Sequence, residues 1–284
     1  MNVFIFGDST TQEYSEQFYP QQGWGYYLND RFVDEVKIVN VAVAGHSLKS
    51  FLYSEDYIKG DTGENHPERS EWNAIVNRIQ NGDFVILYSG GINDMLQTGK
   101  DAYRPDEKGD YVFDAQNTSY ESYFYLGKGL GGYSFFTLTS SVEEYTTLLY
   151  EMAETVKSKG ATPIVVRGTG KYYKVHDDDR NVISAVRKYA VAVEDAAKRA
   201  GAIYLDVGSE FEQEFSVIGY EKMLEKYFLS EKAYERFGNE RAIERKTPSV
   251  DDNVHYNLDG ARRVAEIFIQ KLRNTNCELT KYLR

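Results

Sequence analysis

The 284-residue sequence predicts an α/β protein built on a doubly wound parallel sheet, and two observations predict it. Short apolar runs of strand length alternate with longer segments whose apolar residues recur three and four positions apart, the pattern of strands joined by crossover helices. Three of those runs also end in glycine and then polar residues, the sequence of a strand edge where an open α/β sheet carries its ligands.

In chain order, residues 3–6 are a four-residue apolar strand, and Gly23-Trp24-Gly25 opens the first helix. Residues 36–43 form the second strand and residues 84–88 the third. Val142, Tyr145, Leu148, Leu149, Met152 and Val156 mark one face of a helix, which leads to a fourth strand at 162–166. A further helix is read in Ile183, Val186, Ala190, Val193 and Ala197, before a fifth strand at 202–207. The last helix carries Leu258, Ala261, Val264, Ala265, Phe268 and Leu272, with Asn257 at its start. No repeat and no linker rich in Pro or Ser interrupts this order, so residues 1–284 are read as a single domain. Stretches near 96–140, 168–180 and 228–249 are too long for ordinary connections and are read as insertions around a site. The acidic run at 176–179 is read as a cap for a helix starting at Arg180.

With 42% apolar residues the chain can bury a sizeable core. No run of eighteen apolar residues is present to span a membrane. The net charge of −11 speaks against general binding to nucleic acid or to anionic membranes, and no such partner is expected. One cysteine, Cys277, excludes an internal disulfide framework. The start shows neither a basic segment nor a long apolar stretch, so a cytoplasmic location is expected, with secretion as the alternative if a signal peptide once preceded it. The 24 Tyr, 15 Phe and 2 Trp suit a cleft that stacks sugar rings and equally suit half-buried loops. Nothing in the sequence gives an oligomeric state.

The chemistry sits at the strand ends. Gly7-Asp8-Ser9-Thr10 follows the first strand, so Ser9 is launched from the carboxyl edge of the sheet and is a candidate nucleophile. A serine in acyl transfer needs a base to take its proton and a carboxylate to hold that base in one tautomer. The segment Asp251-Asp252-Asn253-Val254-His255 supplies both in one loop. Asp252, three residues before His255, can reach the ring; Asp251 is expected to point elsewhere. A tetrahedral intermediate also needs donors for its oxyanion, and the backbone N–H of Gly45 and the side chain of Asn93 are suitable donors.

Five blocks together resemble the SGNH (GDSL) hydrolase superfamily and, within it, the rhamnogalacturonan acetylesterase group. They are Gly7-Asp8-Ser9-Thr10, Gly23-Trp24-Gly25, Asn40 to Ser47, Gly91-Ile92-Asn93-Asp94 and Asp252-Asn253-Val254-His255, in that group's order from end to end. The resemblance implies a three-layer α/β/α flavodoxin-like fold around a parallel sheet of about five strands. It implies Ser9 as nucleophile, His255 as base, Asp252 as its partner, and an oxyanion hole of the Ser9 and Gly45 N–H groups with the Asn93 side chain. The implied activity is removal of acetyl groups from plant cell-wall carbohydrate, pectic or xylan oligosaccharides, without metal or cofactor. His46 and Ile92 depart from the usual residues of their blocks and are expected along the acceptor side of the cleft.

Other signals are set aside. Gly127 to Gly132 matches a dinucleotide fingerprint in spacing but leads into Tyr133-Ser134-Phe135-Phe136 and not into a helix. Ser47 lies in a near match to a nucleophile elbow that fails at Lys49 and is the reserve nucleophile. His176 with the acids after it, and His66 alone, are read as loop residues. Two other readings remain: a carbohydrate-binding protein without catalysis, and an esterase of lipids or lysophospholipids.

Overall fold

The computed structural model describes residues 1–53, 71–89, 91–94, 103–105, 111–113, 124–128, 134–138, 140–175, 178–184, 186–237 and 252–284. Strand β1 (Asn2–Phe6) is followed by a 3-10 helix at Trp24–Arg31, β2 (Lys37–Asn40), α1 (Leu48–Leu52), α2 (Glu71–Val76) and β3 (Phe84–Ser89). Next come β4 (Tyr103–Pro105), β5 (Tyr111–Phe113), β6 (Phe124–Lys128), β7 (Ser134–Leu138), α3 (Val142–Ser158) and β8 (Thr162–Arg167). The chain continues through β9 (Tyr172–Val175), β10 (Asp178–Ser184), α4 (Arg187–Ala200) and β11 (Ile203–Asp206). Then follow α5 (Val207–Ile218), α6 (Tyr220–Tyr227), α7 (Glu231–Phe237), α8 (Leu258–Arg273) and a 3-10 helix at Glu278–Tyr282.

Five strands form one parallel sheet in the order β11-β8-β3-β1-β2. Successive side chains of a strand point to opposite faces, and here both faces are apolar, as a parallel sheet covered on two sides requires. Val3 and Ile5 of β1 join Ile86, Ile164 and Leu205 in a core closed by Trp24, Phe211, Phe215 and Phe268. Phe4 and Phe6 join Val85, Leu87 and Val165 on the other face, against Tyr145, Leu149, Met152 and Val193. The result is the expected three-layer α/β/α arrangement: the Trp24–Arg31 helix with α5, α6 and α8 on one side, α1 to α4 on the other.

Side-chain caps fix where helices begin. Ser141 accepts from the Glu144 N–H at 3.1 Å at the start of α3, and Asp206 accepts from Ser209 N–H at 2.8 Å at the start of α5. Arg167, at the end of β8, reaches both Asp206 and Glu212, at 3.3 and 2.9 Å, and so ties β8 to β11 and α5.

Two expectations change. The opening at Gly23-Trp24-Gly25 is a 3-10 helix, not an α-helix. The helix read from Ile183 begins instead at Arg187: Val182, Ile183 and Ser184 belong to β10 and pair antiparallel with Lys174, Tyr173 and Tyr172. The stretch read as an insertion at 168–180 is thus mostly a hairpin. Its acidic end does cap a helix, but a distant one: Asp179 accepts from Glu221 N–H at 3.0 Å in the first turn of α6. The described parts of 96–140 are two antiparallel strand pairs, β4 with β5 and β6 with β7. Of 228–249 the described part includes α7.

Candidate active site

The chain leaves β1 to one side to make β2 and returns on the other side to make β3, so the carboxyl edge of β1 lies at the switch point of the sheet. Gly7 makes the turn there possible. A Cβ on it would stand 2.5 Å from Thr11 Oγ1, far inside contact distance. The Asp8 carbonyl accepts from Thr11 and Gln12 N–H, each at 3.0 Å, while its carboxylate Oδ1 accepts from Thr10 N–H at 2.8 Å and from the Thr10 hydroxyl at 2.7 Å. Ser9 is left half-buried at the crest, its carbonyl accepting from the Tyr14 hydroxyl at 3.0 Å.

Ser9 Oγ lies 2.8 Å from His255 Nε2, and His255 Nδ1 lies 2.8 Å from Asp252 Oδ2. The other carboxylate oxygen, Oδ1, accepts from the N–H groups of Val254 and His255, both at 2.9 Å, so the short loop folds around its own acid. An ionised carboxylate only accepts, which places the ring proton on Nδ1 and leaves Nε2 free to take a proton from the Ser9 hydroxyl. Burial works against the Asp252 carboxylate, yet the charge of His255 and the hydrogen bonds from His255 and Val254 outweigh it and hold its pKa below the usual carboxylate value. Burial likewise disfavours the imidazolium of His255, and the attraction and hydrogen bond of Asp252, with the charge of Asp8, outweigh it and raise its pKa.

The loop that carries His255 is fastened at nearly every residue. Asn253 donates through Nδ2 to the Tyr172 carbonyl at 2.6 Å. The His255 carbonyl accepts from Leu229 N–H at 3.0 Å, and the Tyr256 carbonyl accepts from Gln22 N–H at 3.2 Å. Tyr256 is buried, and its hydroxyl meets that of Thr169, whose N–H donates to the Tyr88 hydroxyl at 3.1 Å. Asn257 closes the loop. Its Oδ1 accepts from Asp259 and Gly260 N–H at 3.0 Å each, and its Nδ2 donates to the carbonyls of Lys226 and Phe228 at 3.1 and 3.0 Å.

The structure therefore brings Ser9, His255 and Asp252 together, 246 residues apart in the case of Ser9 and His255. Gly45 and Asn93 stand in the loops after β2 and β3, the two strands that flank β1. Gly45 has φ +80° in the turn that leads to α1. Asn93 Nδ2 donates to the His46 carbonyl at 2.9 Å, which joins the two loops. The next residue, Asp94, is buried and accepts from Leu48 N–H at 2.9 Å through Oδ1.

The expectation for His46 and Ile92 is overturned. Both are buried, Ile92 in the core beneath α3 and α4, and the His46 ring packs on Phe51 with Nε2 3.1 Å from Glu71 Oε2. Ser47 is not poised as a nucleophile: it is buried and caps α1, its Oγ accepting from Ser50 N–H at 3.1 Å. Asp251, His66, His176 and residues 129–132 of the glycine-rich run lie outside the described residues. On the β9 side, Lys174 pairs with Glu221 at 2.8 Å, and Lys171 lies over the Tyr173 ring. Among the described residues no group of three or more His, Cys, Asp or Glu is arranged to hold a metal ion, and no helix is long and apolar enough to cross a membrane.

Sequence reasoning missed Tyr14, Gln22 and Asp8 as supports of Ser9 and the histidine loop. Only Asp8 carried a signal, as a member of the Gly7-Asp8-Ser9-Thr10 block.

The family described as GDSL-like Lipase/Acylhydrolase matches residues 3–268 of the chain. Two proteins of Bacillus subtilis (strain 168) are similar over nearly the whole length. A probable rhamnogalacturonan acetylesterase, YesY, is 19% identical over 280 residues, covering 99% of this chain and 96% of that protein. The rhamnogalacturonan acetylesterase RhgT is 22% identical over 284 residues, covering 100% and 94%. Among solved structures, protein YXIM of Bacillus subtilis superposes with a TM-score of 0.59 at 20% identity over 96% of this chain, which spans only 56% of that longer one; the likeness is one of fold.

Proposed function

The chain belongs to the GDSL-like lipase/acylhydrolase family, and we propose that it is a serine esterase that removes acetyl groups from carbohydrate. The observation that carries the reading is the unbroken relay of two 2.8 Å contacts from Ser9 through His255 to Asp252. In this reading Ser9 Oγ attacks the acetyl carbonyl as its proton passes to His255 Nε2. The new imidazolium is held by Asp252 and then gives that proton to the departing sugar hydroxyl. Water activated by the same ring cleaves the acetyl-enzyme. The oxyanion is met by the N–H groups of Ser9 and Gly45 and by an N–H of Asn93. An amide carries two donors, and one N–H of Asn93 bonded to His46 orients the other.

Acetylated carbohydrate is favoured as substrate because both relatives matched over full length are named for acetyl removal from rhamnogalacturonan. Rhamnogalacturonan is a polyanion and this chain has a net charge of −11, so long-range attraction does not bring the two together. We therefore expect short acetylated oligosaccharides, pectic or xylan, to be better substrates than intact polymer. Against a binding protein without catalysis stands the relay itself, which sugar binding alone does not require.

The test labels the protein with a serine-directed phosphonate and follows acetate release from matched pectic and xylan oligomers and their parent polymers. The expected result is label on Ser9, a loss of roughly four to six orders of magnitude in kcat for Ser9→Ala, and higher kcat/KM on oligomers. Label on Ser47, or a preference for long-chain acyl esters, overturns the reading.

A further inference from the structure

Asp8 precedes Ser9 and is only 6% exposed. The two bonds that Thr10 makes to its Oδ1 build the turn that presents Ser9. They do not require a charge, because the carbonyl oxygen of an asparagine would accept the same two bonds. A buried carboxylate is costly unless a cation offsets it. Among the described residues no lysine or arginine forms an ion pair with Asp8, and the cation whose attraction reaches it is His255. Among the described residues Tyr14, Tyr88 and Tyr256 also sense its charge, from the loop after β1, the end of β3 and the histidine loop. Burial raises the pKa of all three phenols most; the Asp8 charge comes next for Tyr14 and Tyr88, while for Tyr256 it follows the effects of Tyr88 and Tyr172, and all three stay neutral. Asp252 is bonded to the far nitrogen of the ring, Nδ1.

We propose that Asp8 is a positioning residue whose carboxylate also serves as a second anion, stabilising the His255 imidazolium formed when Ser9 gives up its proton. The inference rests on Ser9 and His255 acting as nucleophile and base. The ring then gains its proton in the field of two carboxylates, Asp252 hydrogen-bonded to Nδ1 and Asp8 one residue from the serine bonded to Nε2. Two effects are consistent with this coupling. Burial pushes the Asp8 pKa up while the two Thr10 bonds and then the charge of His255 pull it part of the way back, and Asp8 acts beside Asp252 in raising that of His255.

The test is Asp8→Asn, which keeps an acceptor for Thr10 and removes the charge. The imidazole of His255 is titrated by NMR in both proteins, its signals assigned through His255→Gln among the four histidines. The ring should titrate at lower pH in Asp8→Asn, and the acid limb of kcat/KM should move the same way. The plateau of kcat should fall about tenfold, as for a weakened general base, against about ten-thousandfold for Asp252→Asn. A turn-building role alone would leave the titration where it was, and that result overturns the proposal whatever happens to kcat. Should Asp8→Asn fail to fold, coupling is reciprocal: in His255→Gln the Asp8 carboxyl, followed by carbon-13 NMR, should titrate at higher pH, and no change there refutes the pairing. If the ring shifts in a protein that hydrolyses no acetyl ester, the esterase reading fails alone.

Discussion

Replacing Asn257 by alanine tests whether the histidine loop is held by the contacts described for it. The side chain is fully buried and makes four bonds: two cap α8, and two hold the carbonyls of Lys226 and Phe228 where α6 gives way to the segment before α7. Loss of the cap costs about 1 kcal/mol. The Phe228 carbonyl, in a buried bond, would be left without its donor, at roughly 1–3 kcal/mol, whereas the Lys226 carbonyl can turn to water and costs about 0.5–1 kcal/mol. The loss should come to about 4 kcal/mol, which in a chain of this size is a fall in Tm of roughly 8–16 °C. Thermal unfolding followed by circular dichroism measures it, with Asn257→Ser as the discriminating variant. Serine keeps a capping oxygen but cannot reach back with two donors, so it should recover only the part due to the cap. The main-chain bonds Leu229 to His255 and Asn257 to Tyr227 survive both changes, so kcat at 25 °C should fall less than about tenfold. A loss under about 1 kcal/mol for alanine, or full recovery by serine, would refute the reasoning.

Asn93→Ala should lower kcat about a hundredfold to a thousandfold with little change in KM, because its amide meets charge that exists mainly in the transition state; steady-state kinetics showing the reverse split would make it a substrate-binding residue. The pH profile of kcat/KM should lose activity on the acid side with a midpoint above the ordinary histidine value of 6.5, since His255 must be neutral to accept the proton and its pKa is raised. Asp252→Asn removes the main attraction behind that shift and should move the midpoint of the residual activity down; a midpoint at or below 6.5 in the unaltered enzyme would contradict the assigned electrostatics.

The sheet was legible because its central strands β1, β3 and β8 are short apolar runs buried on both faces, and residues 3–6 and 162–166 needed no further context. The boundary at Ile183 was not legible. Val182, Ile183 and Val186 fit helical spacing, and what makes the first two a strand is pairing with Lys174 and Tyr173, invisible to periodicity. The site divides in the same way. Asp252 and His255 lie three residues apart and Ser9 follows a strand, so local spacing exposes them. The capping half of Asn257 was legible from its place before Leu258, but its reach to Lys226 and Phe228 was not. His46 shows the limit of reading a motif position by position: its neighbours Gly45 and Ser47 fix the turn, while Glu71 and Phe51, which hold its ring, come from elsewhere.

The distance along the chain between Ser9 and His255 has a consequence for how this protein comes into being. On a ribosome, which delivers the chain from its amino-terminal side, the strand and turn bearing the serine emerge well before the histidine, which appears only after 246 more residues. Every nascent intermediate before that point carries a serine with no base, and so an ordinary alcohol. The loop holding the histidine is in turn pinned to Gln22, Tyr172 and Leu229, so the reactive centre switches on only as that loop docks against elements made long before. Appearance of activity during synthesis is therefore a clock for the docking of that loop.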